Sequence, residues 1–513
     1  MKGLYINIPD SGPVYDALHV MNIPHRAVEF PSDIKNKGLL VYDPGEWERE
    51  PVYHDRGEGL FVAVYGWFIY ENEKNNLERF AVDFQREKTG ALERMNGGIF
   101  LIYVEHNGYA YLINDLLSLS HHFHDQYRKT LTVAPSPFFF DQKEENGFLG
   151  DILYRQGHLF GNYTLYENIR RLEPGSVCCD DPSQSKRYFS PDQHSGPDQH
   201  AFDGRKLIKD IGHLSAFWNE EDLVIPLSGG LDSRLILACT APKVGYCYGP
   251  PKSKDRKIAD KFKHHLHTLH GFSLLDVGAG KREKEKAREL FRGVEKEPLV
   301  GLLFAFRYVR ERFPDHYADL DGFAGDVFQK GMYITFPGLP GGFFRLFPSL
   351  FYKNFNQNKL DKVLEKRYGN LNREQFRFLL RDFHQRTRHL EMDGLNKLTW
   401  YELLYGRGTR HIASGGIVMK SQYLTVVPPF CYRPVLENLL SLDLYHSLTH
   451  QNMQTIWSHV DRKMASVGTE YSFHPLMPRF IGRLLKMASK VFERSILPLQ
   501  SFQKELRRMD DQS

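Results

Sequence analysis

The chain has 513 residues, more than one typical domain holds, and 41% apolar and 25% charged residues place it among soluble globular proteins rather than disordered or collagen-like ones. Length alone sets an expectation of about two to three domains. Its 67 Lys and Arg against 63 Asp and Glu leave a formal +4, too little over this length to argue for nucleic acid or membrane binding, so partners must be read from sites.

The start, MKGLYINIPDSG, has a broken apolar run and lacks the continuous segment of a secretory signal. No window approaches about 18 uninterrupted apolar residues, so no transmembrane segment is expected. Cysteines at 178, 179, 239, 247 and 431 form no CxxC pair, which suits neither a disulfide framework nor a zinc site. A reducing, cytoplasmic location is the expectation.

In chain order, the first half reads as short β runs: GLYINI, GLFVAVYGWFIY, GGIFLIYVEHNGYAYLIND and GSVCCDD. His106-Asn107-Gly108 between two apolar runs predicts a tight hairpin. An antiparallel sheet domain over 1–190 follows. FSPDQHSGPDQH, with two prolines and almost nothing apolar, marks a linker, taken as 191–203. From Gly204 the texture changes to a helix, a buried strand at Leu223 to Leu227, a helix from about Ser233, and a strand at Val244 to Tyr248. A basic helix-like stretch from Ser253 to His267 and the apolar run FSLLDV come next. Strands alternating with helices predict an α/β domain with a parallel sheet over 204–513. From about Glu283 it continues as a helical extension, with a loop at TFPGLPGGFFRLFP.

The stretch LVIPLSGGLDSRLILA carries the chemistry. Ser-Gly-Gly-Leu-Asp-Ser ends a buried strand and opens a helix, at the place where α/β sheets put ligands. N–H groups of Gly229, Gly230, Leu231 and the helix start converge on one point, and the hydroxyls of Ser228 and Ser233 add donors, so the turn suits an anion. Asp232 makes sense beside phosphate if Mg²⁺ lies between them. The plain alternative is a tight turn in which Ser or Asp caps the helix.

SGGLDS resembles the pyrophosphate-binding loop of the ATP pyrophosphatase superfamily, and the chain around it resembles asparagine synthetase and its relatives. The likeness includes VGYCYGPPKSKDRKIADKFKHHLHTLHGFSLL, DGFAGDVFQKG and VVPPFCYRPVLENLLSLD in the second half. In the first half ALERMNGGIFLIYV, LINDLLSLSHHFH and GNYTLYENIRRLEPGS follow the order of the family's glutaminase domain. The resemblance implies a glutaminase-like (Ntn-type) antiparallel domain joined to an α/β synthetase domain. It maps a second metal-binding acid onto Asp326, beside Asp232, with ATP and Mg²⁺ as cofactors.

The chain departs from the family in three places. Glutamine-using members begin Met-Cys-Gly, where the cysteine supplies thiolate and amine together. This chain begins Met1-Lys2-Gly3, and a lysine, protonated near neutrality, does not replace that thiol. Glutaminase activity is therefore expected to be absent. The acid that follows the second metal-binding Asp is Val327 here, and Leu424 to Pro428 stand where an acid and an arginine precede the Pro-Phe pair. The family's lysine at the adenylate has a candidate in Lys463.

The resemblance implies an ATP-dependent amide-forming ligase that activates a carboxylate as its acyl-adenylate, releases pyrophosphate and AMP, and takes ammonia or an amine as nucleophile. The carboxylate is small-molecule, peptide or sugar in class, and no nucleic acid partner is expected. A true asparagine synthetase using free ammonia, and a non-catalytic scaffold or regulatory relative, are the alternatives; a homodimer is compatible with any of them. Ser253 and Asp255 either border the nucleotide or cap a helix. His264, His265, His267 and His270 read as an exposed helix face rather than a metal site, and SHHFHD at 120–125 as structural. The tail RFIGRLLKMASKVFERSILPLQSFQKELRRMD reads as a basic amphipathic helix pair packed on the synthetase domain, with charge that permits contact with a membrane surface.

Overall fold

The computed structural model describes residues 1–128, 130–180, 185–194, 202–296, 298–335 and 338–496, with side chains except at 193, 339 and 490–496. The chain divides into two compact units: Met1–Ser190 with Ala279–Arg307 and Leu404–Val427, and Pro191–Gly278 with Tyr308–Leu403 and Pro428–Ser513. Of the linker stretch, Pro191–His194 forms a short 3₁₀ turn, whereas 195–201 lie outside the described residues.

The first unit is built on two antiparallel sheets. One runs in the order Ile169–Arg171, Phe123–Asp125, Val133–Ala134, Gly3–Ile6, Gly38–Tyr42, Arg26–Glu29. The other is centred on the long strands Leu60–Tyr70 and Met95–His106, flanked by Val52–Asp55 and Tyr109–Asn114. Leu4, Ile6 and Leu40 of the first sheet share one core with Val62, Val64 and Ile102 of the second and with Phe80 and Phe84 of the helix Leu77–Glu87. Leu60–Tyr70 is buried at every residue, the condition of a strand covered on both faces. The expected hairpin forms with His106 opposite Tyr109, and Asn107 and Gly108 both take positive φ, +52° and +78°, as a primed two-residue turn requires.

Residues far along the chain complete this unit. Arg171, fully buried, donates to the carbonyls of Leu117, Ser118 and Leu404 and to Thr409 Oγ1. Trp67 Nε1 donates to the Val426 carbonyl at 3.0 Å. Lys2 is also consumed by structure: its ammonium lies 2.7 Å from Asp43 Oδ2, both side chains being buried.

In the second unit four parallel strands run in the order Thr268–Phe272, Val244–Tyr248, Leu223–Pro226, Ala318–Leu320. Numbered along the chain this is 3-2-1-4, so the direction of winding reverses between Leu223–Pro226 and Ala318–Leu320. The α/β class with antiparallel sheets and a parallel sheet is thus as expected.

Two local expectations are corrected. The third strand is Thr268–Phe272, ahead of most of FSLLDV, so the histidines do not share a helix face: 264 and 265 lie in a 3₁₀ turn and His270 is in the strand, 3.0 Å from the Tyr308 hydroxyl. The Gly/Pro/Phe stretch is not simply loop, because Leu339–Leu346 is helical with Pro in its first turn, where the missing N–H is harmless; 336–337 lie outside the described residues. Of the tail pair, Arg479–Ile496 is one helix and 497–513 lie outside the described residues. The SHHFHD histidines are structural: His122 is buried, Leu4 N–H donates to its Nε2 at 3.0 Å, and burial lowers its pKa to about 3. None of the five cysteines is joined in a disulfide, and among the described residues no helix is long and apolar enough to cross a membrane.

Candidate functional site

In an open α/β sheet the carboxyl ends of the two strands that flank a winding reversal diverge and leave a crevice. Here those ends carry the loops 227–231 and 321–324, and the two acids singled out in sequence, Asp232 and Asp326, meet there.

The first loop enters the helix Asp232–Cys239 at Leu231, with no side chain capping the helix start. The capping alternative for the Ser and Asp residues is therefore not what they do. Ser228 Oγ accepts from Gly230 N–H at 3.1 Å, Ser233 Oγ from Ser228 N–H at 3.4 Å, and Asp232 turns away from its own helix. Gly229 N–H donates to Asp255 Oδ1 at 2.6 Å. Ser253 does cap its helix, accepting from Arg256 N–H at 3.3 Å.

The second loop brings Asp326 in on the helix Gly325–Lys330, whose start is fixed by Ala324 in the left-handed region, φ +70°. A non-glycine residue held there is strained, and such strain persists where the surroundings over-determine it. Glycine is required beside it: a Cβ on Gly325 would lie 2.6 Å from Asp232 Oδ1 and one on Gly322 3.1 Å from Asp232 Cβ. The two loops touch through these missing side chains.

Gln329 Nε2 donates to Asp232 Oδ1 at 2.8 Å, and Trp457 Nε1 donates to Gln329 Oε1 at 2.8 Å. Lys330 binds Asp326 one helical turn away. Burial, and then the charge of Asp326, push the Asp232 carboxyl well above the usual range. Burial acts to raise Asp326 too, but Lys330 and the bond from Asp232 outweigh it and hold Asp326 low. The pair thus shares one proton, a state that two adjacent acids adopt because both cannot ionise in a low dielectric without a cation. Lys486, on the helix Arg479–Ile496, adds its charge to both. The same positive field reaches His450, whose pKa is driven well down by burial and then by Lys486, Arg483, Lys330 and Arg345.

Among the described residues no group of three or more His, Cys, Asp or Glu is placed to hold a metal on its own. Two carboxylates are the donor set of Mg²⁺ that keeps waters and arrives with phosphate oxygens, so the pair fits that ion. Asp326 is 38% exposed, open to a ligand. Lys463 is exposed on the short helix Arg462–Ala465, and the lysines whose charge acts on the pair are Lys330 and Lys486. Gln329 and Lys330 stand three and four residues after Asp326, a spacing that shares a helix face and could have flagged them. Nothing local announces Trp457 or Lys486.

No protein-family model matches the chain, and no curated protein matches it. Among solved structures it is similar to one described as the allosteric regulatory enzyme of purine biosynthesis, at 12% identity over 53% of this chain and 80% of that one, with a TM-score of 0.26.

Proposed function

We propose that the second unit is an ATP-dependent, AMP-forming amide ligase of the asparagine synthetase kind, which activates a carboxylate for attack by ammonia or an amine. The observation that carries this reading is the meeting of Asp232 and Asp326 at the winding reversal, beside a glycine loop and an uncapped helix start. The N–H groups of 229–233 and the Ser228 and Ser233 hydroxyls bind the pyrophosphate portion of ATP. Asp232 and Asp326 would hold Mg²⁺, which would supply neutralisation of charge on the leaving pyrophosphate. Lys330 and Lys486, whose charges already act on the two acids, would add to that neutralisation, so catalysis would rest on fixed charge and positioning. A uronic acid, a peptide carboxylate or a small amino acid is the acceptor class.

Two contacts favour a second reading, a non-catalytic relative: Asp255 already takes Gly229 N–H, and Lys330 already takes Asp326. ATP–pyrophosphate exchange against a panel of carboxylates that includes aspartate separates the readings. Carboxylate-dependent exchange that Asp232→Ala abolishes supports the ligase, and dependence on aspartate alone would make it an asparagine synthetase. Absence of exchange together with Mg-ATP binding that Asp232→Ala leaves unchanged in calorimetry sinks it.

A further inference from the structure

The helix Arg479–Ile496 is turned inside out. Its inward face carries Gly482 and Lys486, both buried, while Phe480, Ile481 and Leu484 are 48%, 46% and 43% exposed. Phe343 on the helix Leu339–Leu346, Phe347 just past its end and Leu350 in the 3₁₀ turn that follows are exposed beside it. The two elements are packed together: the rings of Phe347 and Phe480 lie 6.3 Å apart, Arg483 Nη1 donates to the Leu346 carbonyl at 2.9 Å, and a Cβ on Gly342 would meet Met487 Cγ at 3.6 Å. Six of the eleven large exposed apolar side chains among the described residues therefore form one patch. Scattered exposed apolar residues need no explanation, but a contiguous group of this kind marks an interaction surface.

The charge around the patch selects the partner. Residues 338–360 offer Lys353 and Lys359 and residues 479–492 offer Arg479, Arg483 and Lys490, and the first acids beyond the two stretches are Asp361 and Glu493. Arg479 donates to the side-chain oxygens of Gln454 and Gln451, and Arg483 to carbonyls, so their partners are neutral. A two-fold contact with a second copy would set one cationic rim against another, which an isologous interface cannot relieve. Phe, Ile and Leu on one face with Arg and Lys at its margin is the pattern of a helix lying in the interface of an anionic bilayer.

We infer that Phe343, Phe347, Leu350, Phe480, Ile481 and Leu484 dock the second unit onto an anionic lipid surface, with Arg479 and Arg483 at the headgroup phosphates. Lysine and arginine near such a surface each add attraction that salt screens. The test is flotation of the full chain with phosphatidylcholine vesicles, either pure or containing about a quarter phosphatidylserine. The wild type should float with the serine-lipid vesicles and not with pure phosphatidylcholine. Phe480→Glu with Leu484→Glu should cut the bound fraction by about tenfold, while Tyr15→Glu, an exposed aromatic of the first unit, should leave it unchanged, all three proteins keeping the same melting temperature. No flotation with anionic vesicles, or equal flotation by the double variant, overturns the inference. So does light scattering that shows a wild-type dimer broken by the double variant without any flotation, which would give the face to a second copy.

Discussion

The carboxamide of Gln329 donates to Asp232, and Trp457, by donating to the amide oxygen, dictates which end of that amide faces the acid. A buried indole thereby fixes the Asp232 carboxyl from two contacts away. Replacing an orienting partner of a metal-binding acid typically lowers metal affinity or activity about 10–100-fold. Gln329→Leu should raise the half-saturating Mg²⁺ of ATP–pyrophosphate exchange by about tenfold, measured by titrating Mg²⁺ at fixed ATP; an unchanged Mg²⁺ dependence would separate Gln329 from the metal.

Gly325→Ala tests whether the two loops need to meet as closely as they do. The new Cβ would lie 2.6 Å from Asp232 Oδ1 and 2.7 Å from the Phe430 ring, and neither neighbour can yield without moving a packed element. Overpacking of this kind costs about 1–3 kcal/mol, so denaturant unfolding should report a loss of that size and exchange activity should fall. Gly415→Ala, whose Cβ would meet nothing within 4 Å, serves as the neutral comparison.

In the first unit Glu46 titrates abnormally. Burial and the neighbouring Asp43 raise its pKa from 4.5 to about 7, against the pull of Lys2 and a 3.0 Å bond from Thr425 Oγ1. The folded state then holds a proton that the unfolded state has released, so the group's contribution to stability falls as pH rises from about 4.5 through about 7 and is lowest above that. Glu46→Gln should remove this slope and stabilise the protein by up to about 3 kcal/mol at pH 8 while changing little at pH 4. Unfolding curves at both pH values decide it; a constant difference between the two proteins would show that Glu46 does not titrate differently on folding.

Asp255→Ala should tighten Mg-ATP. Its carboxylate accepts Gly229 N–H at 2.6 Å, so a phosphate that uses this donor must first displace it. Removing a competing bond worth about 1 kcal/mol net gives about fivefold tighter binding by calorimetry. Weaker binding would mean instead that Asp255 holds the nucleotide itself.

Sequence periodicity found those elements whose fate is decided locally. Asn107-Gly108 dictates its own turn, and the apolar run Leu223 to Leu227 has no choice but burial. Strand Thr268–Phe272 escaped because it lies at the end of the four-strand order, where only one side is paired and a histidine and a threonine are tolerated. Helix Leu339–Leu346 escaped because Gly and Pro read as breakers, whereas Pro340 stands in the first turn, where its missing N–H is harmless. Of the site, Asp232 could be singled out because it closes a glycine turn between a buried strand and a helix, whereas Asp326 is reached only through the resemblance of DGFAGDVFQKG to a family's Gly-rich loop. Lys486 could not, since a lysine in a basic helix gains meaning only when the fold turns it inward.

The buried guanidinium of Arg171 has a bearing on how the chain is made. It joins the Leu117 and Ser118 carbonyls to Leu404 and Thr409, and Trp67 likewise reaches Val426. Synthesis delivers every strand of both sheets within the first 190 residues, yet Arg171 finds its Leu404 and Thr409 acceptors only once that later segment has been made. The core of that unit is drawn wholly from early residues, so what waits for the returning segment is the satisfaction of one buried charge, and the early-formed sheets stay short of their full stability until it arrives.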